Sequence, residues 1–259
     1  MQQGFPRTEV LVIGAGLSGA ITSQRLARAG IDVTCLEQGV WNPLESYPGD
    51  KPDFELQALG PWNANPNIRR GRADYPILDD TSDIKPLLFN GVGGSTVMFS
   101  AHWMRFLPSD FFTYALDGVG TDWPIDYQDL EPYYLQTEED IGVSGVAGDP
   151  AYPDRPDYPM PPLPIQPWGE KVAAAHDRLG WHWWPGSNAI TSRPYQGRRP
   201  CVQRSTCRAG CNEGAKGSAD RSIWPSAIEA GAKLVTGARV VRILTNQQGR
   251  AEGALFVDE

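Results

Sequence analysis

The 259-residue sequence predicts an α/β fold with a Rossmann-like half, and three observations carry that prediction. Val10, Leu11, Val12 and Ile13 form a short continuous apolar run, as expected of a strand buried on both faces of a parallel sheet. Gly14-Ala15-Gly16-Leu17-Ser18-Gly19 follows at once and fits G-x-G-x-x-G, ahead of a helical pattern with apolar Ala20, Ile21, Leu26 and Ala27. A second strand over 32–36 then ends on an acidic residue, Glu37, about twenty positions after the turn.

Each part of this unit has a mechanical reason. Gly14 permits the tight turn, Gly16 lets the backbone approach a pyrophosphate, and Gly19 lets the helix lie close against the strand. Leu17 and Ser18 begin the helix, whose unpaired N–H groups and dipole favour negative charge at that end. Gly30 ends the helix. A carboxylate at Glu37 can accept from both ribose hydroxyls and repels a 2′-phosphate. The four features together point to a dinucleotide site, without separating FAD from NAD.

The net charge of −8 argues against nucleic acid or an anionic membrane surface as the main partner. Hydrophobic content of 41% and charged content of 21% are those of a globular protein. No stretch has the apolar length needed to span a bilayer, and the first strand begins too close to Met1 for a signal peptide, so a cytoplasmic location is expected. Three of the four cysteines crowd into eleven residues, a pattern that suggests metal or redox chemistry over a disulfide frame.

Beyond Gly39, residues 40–80 are interrupted by Pro, Gly and Asn and read as a long ordered loop or lid covering a site. A second glycine loop follows at Asn90-Gly91-Val92-Gly93-Gly94-Ser95-Thr96, whose N–H groups and hydroxyls suit an anion or the edge of a flat ring, although a surface loop reads the same way. His102 reads as a structural histidine. Pro108, Ser109 and Asp110 start a helical turn, and Asp126 caps a helix through Leu130, Tyr133, Tyr134 and Glu138. The run Glu138-Glu139-Asp140 reads as a solvated helix end. Residues 142–167 are proline-rich and aperiodic, and 168–179 form a short amphipathic helix. Trp181, Trp183 and Trp184 either stack on sugar or pack a sheet against helices, the latter being the commoner use of such residues.

Cys201, Cys207 and Cys211 follow a C-x5-C-x3-C spacing, which matches neither ferredoxin nor zinc-finger patterns. A helix over 222–230 with Pro225 in its first turn precedes strands over 233–236, 239–245 and 253–257, the last two joined by a turn at 246–249.

Gly14-x-Gly16-x-x-Gly19 with Glu37, then NGVGGST and Trp103, resembles the glucose–methanol–choline (GMC) family of FAD-dependent oxidoreductases, in its amino-terminal half. The resemblance implies a Rossmann-like FAD-binding fold of GMC type, with a first FAD-binding part over 1–107, part of an inserted substrate-binding domain over 108–199, and the cysteine loop with the return to the FAD domain over 200–259. By position Gly91, Gly93, Gly94, Ser95 and Thr96 contact FAD, Met98 and Phe99 sit near the flavin ring, and Val240 contacts the adenine through its backbone. Met98 stands where some members carry a flavin-linked His, which implies non-covalent FAD.

The three cysteines resemble the motif of bacterial sugar and gluconate dehydrogenases that binds a three-iron (3Fe–4S) cluster; whether a cluster forms here stays open. The resemblance implies oxidation of a CH–OH group of a sugar or sugar acid by hydride transfer to flavin, with electrons passed to an acceptor. The catalytic pair and the carboxyl-terminal half of the family pattern are expected outside this chain, supplied by a second polypeptide or chain segment, with an electron-accepting subunit as a further partner. Periplasmic location by co-export with a partner is the alternative to the cytoplasm. An O2-using oxidase without a cluster and a non-catalytic dinucleotide-binding fragment are the rival readings. An NAD-dependent dehydrogenase leaves NGVGGST without a role.

Overall fold

The computed structural model describes residues 7–258, which divide into two compact units. One unit comprises the chain up to Ser100 and again from Val202; the other is Ala101–Cys201.

In chain order the first unit opens with β1 (Val10–Ile13), α1 (Leu17–Arg28) and β2 (Val33–Leu36). Gly30 takes φ +79° just past the end of α1, the left-handed conformation that lets the chain turn off the helix. Residues 40–80 carry more structure than the expected loop: short helical turns at Leu44–Ser46 and Pro48–Asp50, α2 (Phe54–Leu59) and α3 (Pro66–Arg69). Pro48 and Pro66 each open a turn where a missing N–H costs nothing, and the Asn65 side chain accepts from the Asn67 amide. Such single turns have too few residues for a periodic signal, so the sequence pattern hides them.

The second unit holds α4 (Thr113–Asp117), α5 (Tyr127–Ile141) and α6 (Pro167–Leu179). Asp126 and Asp129 cap α5 reciprocally, each side chain accepting from the other residue's amide at 3.0 Å. Two expectations fail in this unit. Glu138 is not solvated: it is 1% exposed and accepts from Arg105 (Nε, 2.8 Å) and Arg155 (Nη2, 2.6 Å). Helical periodicity turns that one carboxylate inward while Glu139 stays exposed. The tryptophans do not pack a sheet against helices, since Trp181 and Trp184 are exposed and their unit contains isolated bridges in place of a sheet.

The chain returns to the first unit through α7 (Ala219–Ser222), α8 (Trp224–Glu229), β3 (Lys233–Val235), β4 (Ala238–Thr245) and β5 (Ala251–Asp258). The helix expected over 222–230 is thus divided at Ile223, with Pro225 in the first turn of α8. A parallel sheet runs in the order β1-β2-β3, with Val10 opposite Val33 and Thr34 opposite Lys233. Among the described residues β1 pairs only with β2, so it is half-buried and Ile13 is 48% exposed, not covered on both faces as expected. The central strand β2 carries the burial instead, through Val33, Cys35 and Leu36. The helices α1 and α8 pack together, burying Ala20, Ala27, Trp224 and Ala227, and Gln24 Nε2 donates to Ser226 Oγ at 2.6 Å. The strands β4 and β5 form an antiparallel hairpin whose turn is closed by Asn246, with Gly249 at φ +77°. No helix among the described residues is long and apolar enough to cross a membrane.

Candidate functional site

All the residues expected to contact a dinucleotide lie in the first unit, and four separate stretches of chain bring them together. The centre is the main chain of Ala15, which is fully buried. Its N–H donates to Glu37 Oε2 at 2.7 Å. Its carbonyl accepts from Gly93 N and from Trp224 Nε1, both at 2.9 Å. One residue of the first glycine turn is therefore tied through its main chain to the end of β2, to the second glycine loop and to α8.

The glycines make this approach possible. Gly14 adopts φ +93°, and a Cβ on Gly19 would run into the Gly14 carbonyl oxygen. A Cβ on Gly94 would stand 2.8 Å from Gly16 Cα, so the two glycine loops touch backbone to backbone. Gly16 caps α1 with no side-chain hydrogen bond, and the first turn of α1 carries no acidic residue. The first amides of a helix have no intrahelical partner and favour an anion. Ser18 and Ser95 are exposed, and Leu17 is partly so.

Glu37 is 6% exposed, and both of its oxygens already accept backbone amides, Ala15 N and Gly39 N, the latter at 2.8 Å. Its carboxylate thus braces the turn, and the remaining lone pairs are what a ribose would find. Thr96 also has a structural duty: its hydroxyl donates to the Gly93 carbonyl at 2.5 Å and accepts from Ala219 N at 2.9 Å. Met98 is 9% exposed and packs in a core cluster with Tyr47 and Val97, bordered by Leu44, Trp62 and Phe89. Val240 sits in β4 opposite Phe256, beside an irregularity in the ladder.

A cavity of about 250 Å³ opens beyond Glu37, lined by Gln38, Asn42, Trp62, Arg69, Phe89 and Asn90 among others. Trp62 stacks on Phe89 with ring centroids 6.1 Å apart. Arg69 grips Asp74 through two nitrogens, and Asp74 accepts from Asn90 Nδ2 at 2.8 Å. Residues 61–74, expected to cover a site, here form one wall of this cavity.

Sequence reasoning missed Trp224, Asp220 and Lys216. Asp220 is fully buried and accepts from Tyr47 Oη at 3.0 Å. Burial and the Asp220 charge hold the Tyr47 hydroxyl well above its ordinary range. Lys216 is 1% exposed, and burial pulls its ammonium down to about 8, partly offset by Cys207, Cys211 and Asp220. Only the polar residues of 216–222 mark Lys216 and Asp220 in the sequence, and nothing there says which point inward.

In the second unit a smaller cavity of about 120 Å³ is lined by Arg105, Asp149, Tyr152, Tyr158 and Trp184 among others. The exposed indole of Trp184 is fixed by donation to the Val146 carbonyl at 2.9 Å. His102 is exposed and bridges to Asn188 through the backbone.

Cys201, Cys207 and Cys211 are thiols of intermediate burial. Among the described residues no group of three or more His, Cys, Asp or Glu side chains is arranged to hold a metal ion.

The GMC oxidoreductase family model matches residues 8–259. The 2-methyl-1,2-propanediol dehydrogenase of Mycolicibacterium austroafricanum is 41% identical over 263 residues, covering 100% of this chain and 47% of that protein. The fructose dehydrogenase large subunit of Gluconobacter japonicus is 30% identical, covering 96% of this chain and 48% of its own. The chain thus spans about half the length of the curated relatives it matches. Among solved structures, formate oxidase aligns with a TM-score of 0.53 at 17% identity, over 96% of this chain and 42% of that one. Pyridoxine 4-oxidase from Mesorbium loti aligns with a TM-score of 0.52 at 20% identity, over 97% and 48% respectively, a likeness of fold. Two interlocked glycine loops on an α/β frame, matched by one family model over nearly every residue, place the chain in the GMC oxidoreductase family.

Proposed function

We propose that this chain forms the FAD-binding part of an oxidoreductase that oxidises a CH–OH group of a sugar or other polyol. The observation that carries the reading is the interlock at Ala15, which brings two glycine loops together at the N-terminal end of α1. That surface fits a pyrophosphate, and the cavity beyond Glu37, with its stacked aromatic wall, fits the nucleoside end of the same molecule. FAD, when bound, supplies the hydride acceptor.

The residues of this chain have supporting roles. With FAD bound, the α1 amides and the backbone of Gly16 and Gly94 would hold the phosphates, Glu37 would orient a ribose, and the loop Gly93–Thr96 would contact the cofactor. The lining of the nucleoside cavity excludes water from the base. No proton transfer is assigned to a residue of this chain. A substrate class of diols and sugars is supported by relatives named for 2-methyl-1,2-propanediol and fructose. Electron transfer to an acceptor other than O2 is supported by the naming of these relatives as dehydrogenases. No step is routed through the cysteines.

Purified protein should show a resolved flavin spectrum, and Gly16→Val should abolish flavin retention while leaving the circular dichroism of the fold intact. Undiminished flavin in that variant overturns the site assignment. Relatives named as oxidases, such as the paromamine 6′-oxidase of Streptomyces fradiae at 30% identity, favour a second reading in which O2 is the acceptor. Peroxide formed in proportion to oxidised product would establish it.

A further inference from the structure

Among the described residues no carboxylate accepts a hydrogen bond from Lys216. Its Nζ donates to three main-chain carbonyls: Val97 at 2.7 Å, Phe99 at 3.1 Å and Cys207 at 2.5 Å. An ammonium has three donors, so these bonds use all of them. A buried charge whose hydrogen bonds all go to carbonyls is costly for packing alone, and an apolar residue would fill the space more cheaply. The arrangement makes sense through the segments it joins. Val97 and Phe99 follow directly on the second glycine loop, and Cys207 opens the turn of the cysteine segment, where its carbonyl also accepts from Gly210 N at 3.2 Å.

The neighbouring bonds strengthen the connection. Ala219 N donates to Thr96 Oγ1, and a Cβ on Gly93 would lie 2.9 Å from Asp220 Oδ1. A Cβ on Gly210 would run into the Tyr47 ring, and a Cβ on Gly49 would approach Thr206 Oγ1. The underside of the second glycine loop, segment 216–220 and the cysteine turn therefore pack with little clearance.

We propose that Lys216 is a positioning residue that couples the cysteine turn around Cys207 to the loop Gly91–Phe99, so that a ligand on the glycine loop also stiffens the cysteine turn. The proposal rests on the flavin reading of that loop. When the loop is ordered by a ligand, the Val97 and Phe99 carbonyls hold Nζ in place, and Nζ holds the Cys207 carbonyl. Local opening of the turn then becomes rarer. The flexible lysine stem suits three carbonyls in different directions, which the planar fork of an arginine cannot satisfy together.

Hydrogen–deuterium exchange of the whole chain, with and without FAD, tests this. In the wild type FAD should slow exchange both at 91–99 and at 205–213. In Lys216→Met, FAD should still slow exchange at 91–99 with an unchanged flavin spectrum, while the effect at 205–213 disappears. Retention of FAD protection at 205–213 in this variant, or its absence there in the wild type when 91–99 is protected, overturns the coupling.

A wild-type chain that binds no FAD overturns the flavin reading instead. The coupling is then judged without ligand: Lys216→Met must speed exchange at 205–213 by at least about tenfold, as expected from losing a charge-assisted hydrogen bond, and an equal rate overturns it. If Lys216→Met does not fold, Lys216→Gln keeps two N–H donors and should show an FAD effect at 205–213 between zero and the wild-type value. A full wild-type effect in that variant overturns the proposal.

Discussion

At the scale of single residues, the buried polar groups decide more than the hydrophobic ones. Glu138 accepts from two guanidinium groups, and Arg105 also donates to Tyr127 Oη at 2.8 Å. Burial lowers the Arg105 pKa, but the bonds to Glu138 and Tyr127 outweigh it and hold the guanidinium above its ordinary value. Removing the shared carboxylate takes from buried Arg155 its carboxylate partner and leaves buried Arg105 only the longer pair with Glu131 at 3.8 Å. Glu138→Ala should therefore cost about 3–5 kcal/mol in urea unfolding, whereas exposed Glu139→Ala should stay within about 0.5 kcal/mol.

Cys35 offers a pH test of the same kind. Burial first, and the Glu37 charge second, push its thiol up to about 12 from 9.0. A raised pKa keeps the folded thiol neutral where the unfolded one ionises, so the stability it contributes is complete below pH 9 and is lost between about pH 9 and 12. Thermal melts across that range should fall less steeply in Cys35→Ala than in the wild type. An identical slope would show that the thiol ionises alike in both states.

At the scale of elements, the parts of the site are held by hydrogen bonds between stretches far apart in sequence. Trp224, on α8, donates to the Ala15 carbonyl across 209 residues. Trp224→Phe keeps most of the buried ring and removes that donor, so it should cost about 1 kcal/mol of stability and weaken FAD binding. Equilibrium dialysis of flavin from the two proteins measures the second effect. A Phe variant that binds flavin as tightly as the wild type would mean that Gly93 N and Glu37 alone fix the main chain of Ala15.

At the scale of the whole molecule, the chain divides into two compact units, and all the candidate dinucleotide residues fall in one of them. A single cooperative transition is not the expectation for such a chain. Glu138→Ala should bring forward unfolding of the second unit followed by tryptophan fluorescence, while the release of flavin from the first keeps its wild-type midpoint. A joint shift of both signals would show that the units unfold together.

The β1–α1–β2 unit was legible in the sequence because its signals are local: an apolar run, a fixed glycine spacing, a helix period and an acid after the next strand. The β4–β5 hairpin and the caps of α5 were legible for the same reason, each depending on residues within a few positions. Local pattern does not report how a side chain is partnered across the fold. Glu138 and Glu139 look alike in sequence, yet one is buried between two arginines and the other is exposed. The turns within 40–80 were too short to leave a period, and β1 lost its expected burial because a strand's neighbours are set by sheet order. Sequence by itself thus determined the glycine loops and the family they belong to. Only the tertiary structure decided that they meet at Ala15, that Trp224 is bonded there, and that Tyr47 meets Asp220 and Lys216 meets the Val97 and Phe99 carbonyls, since hydrogen bonds between residues so far apart in the chain have no spacing for a sequence to display.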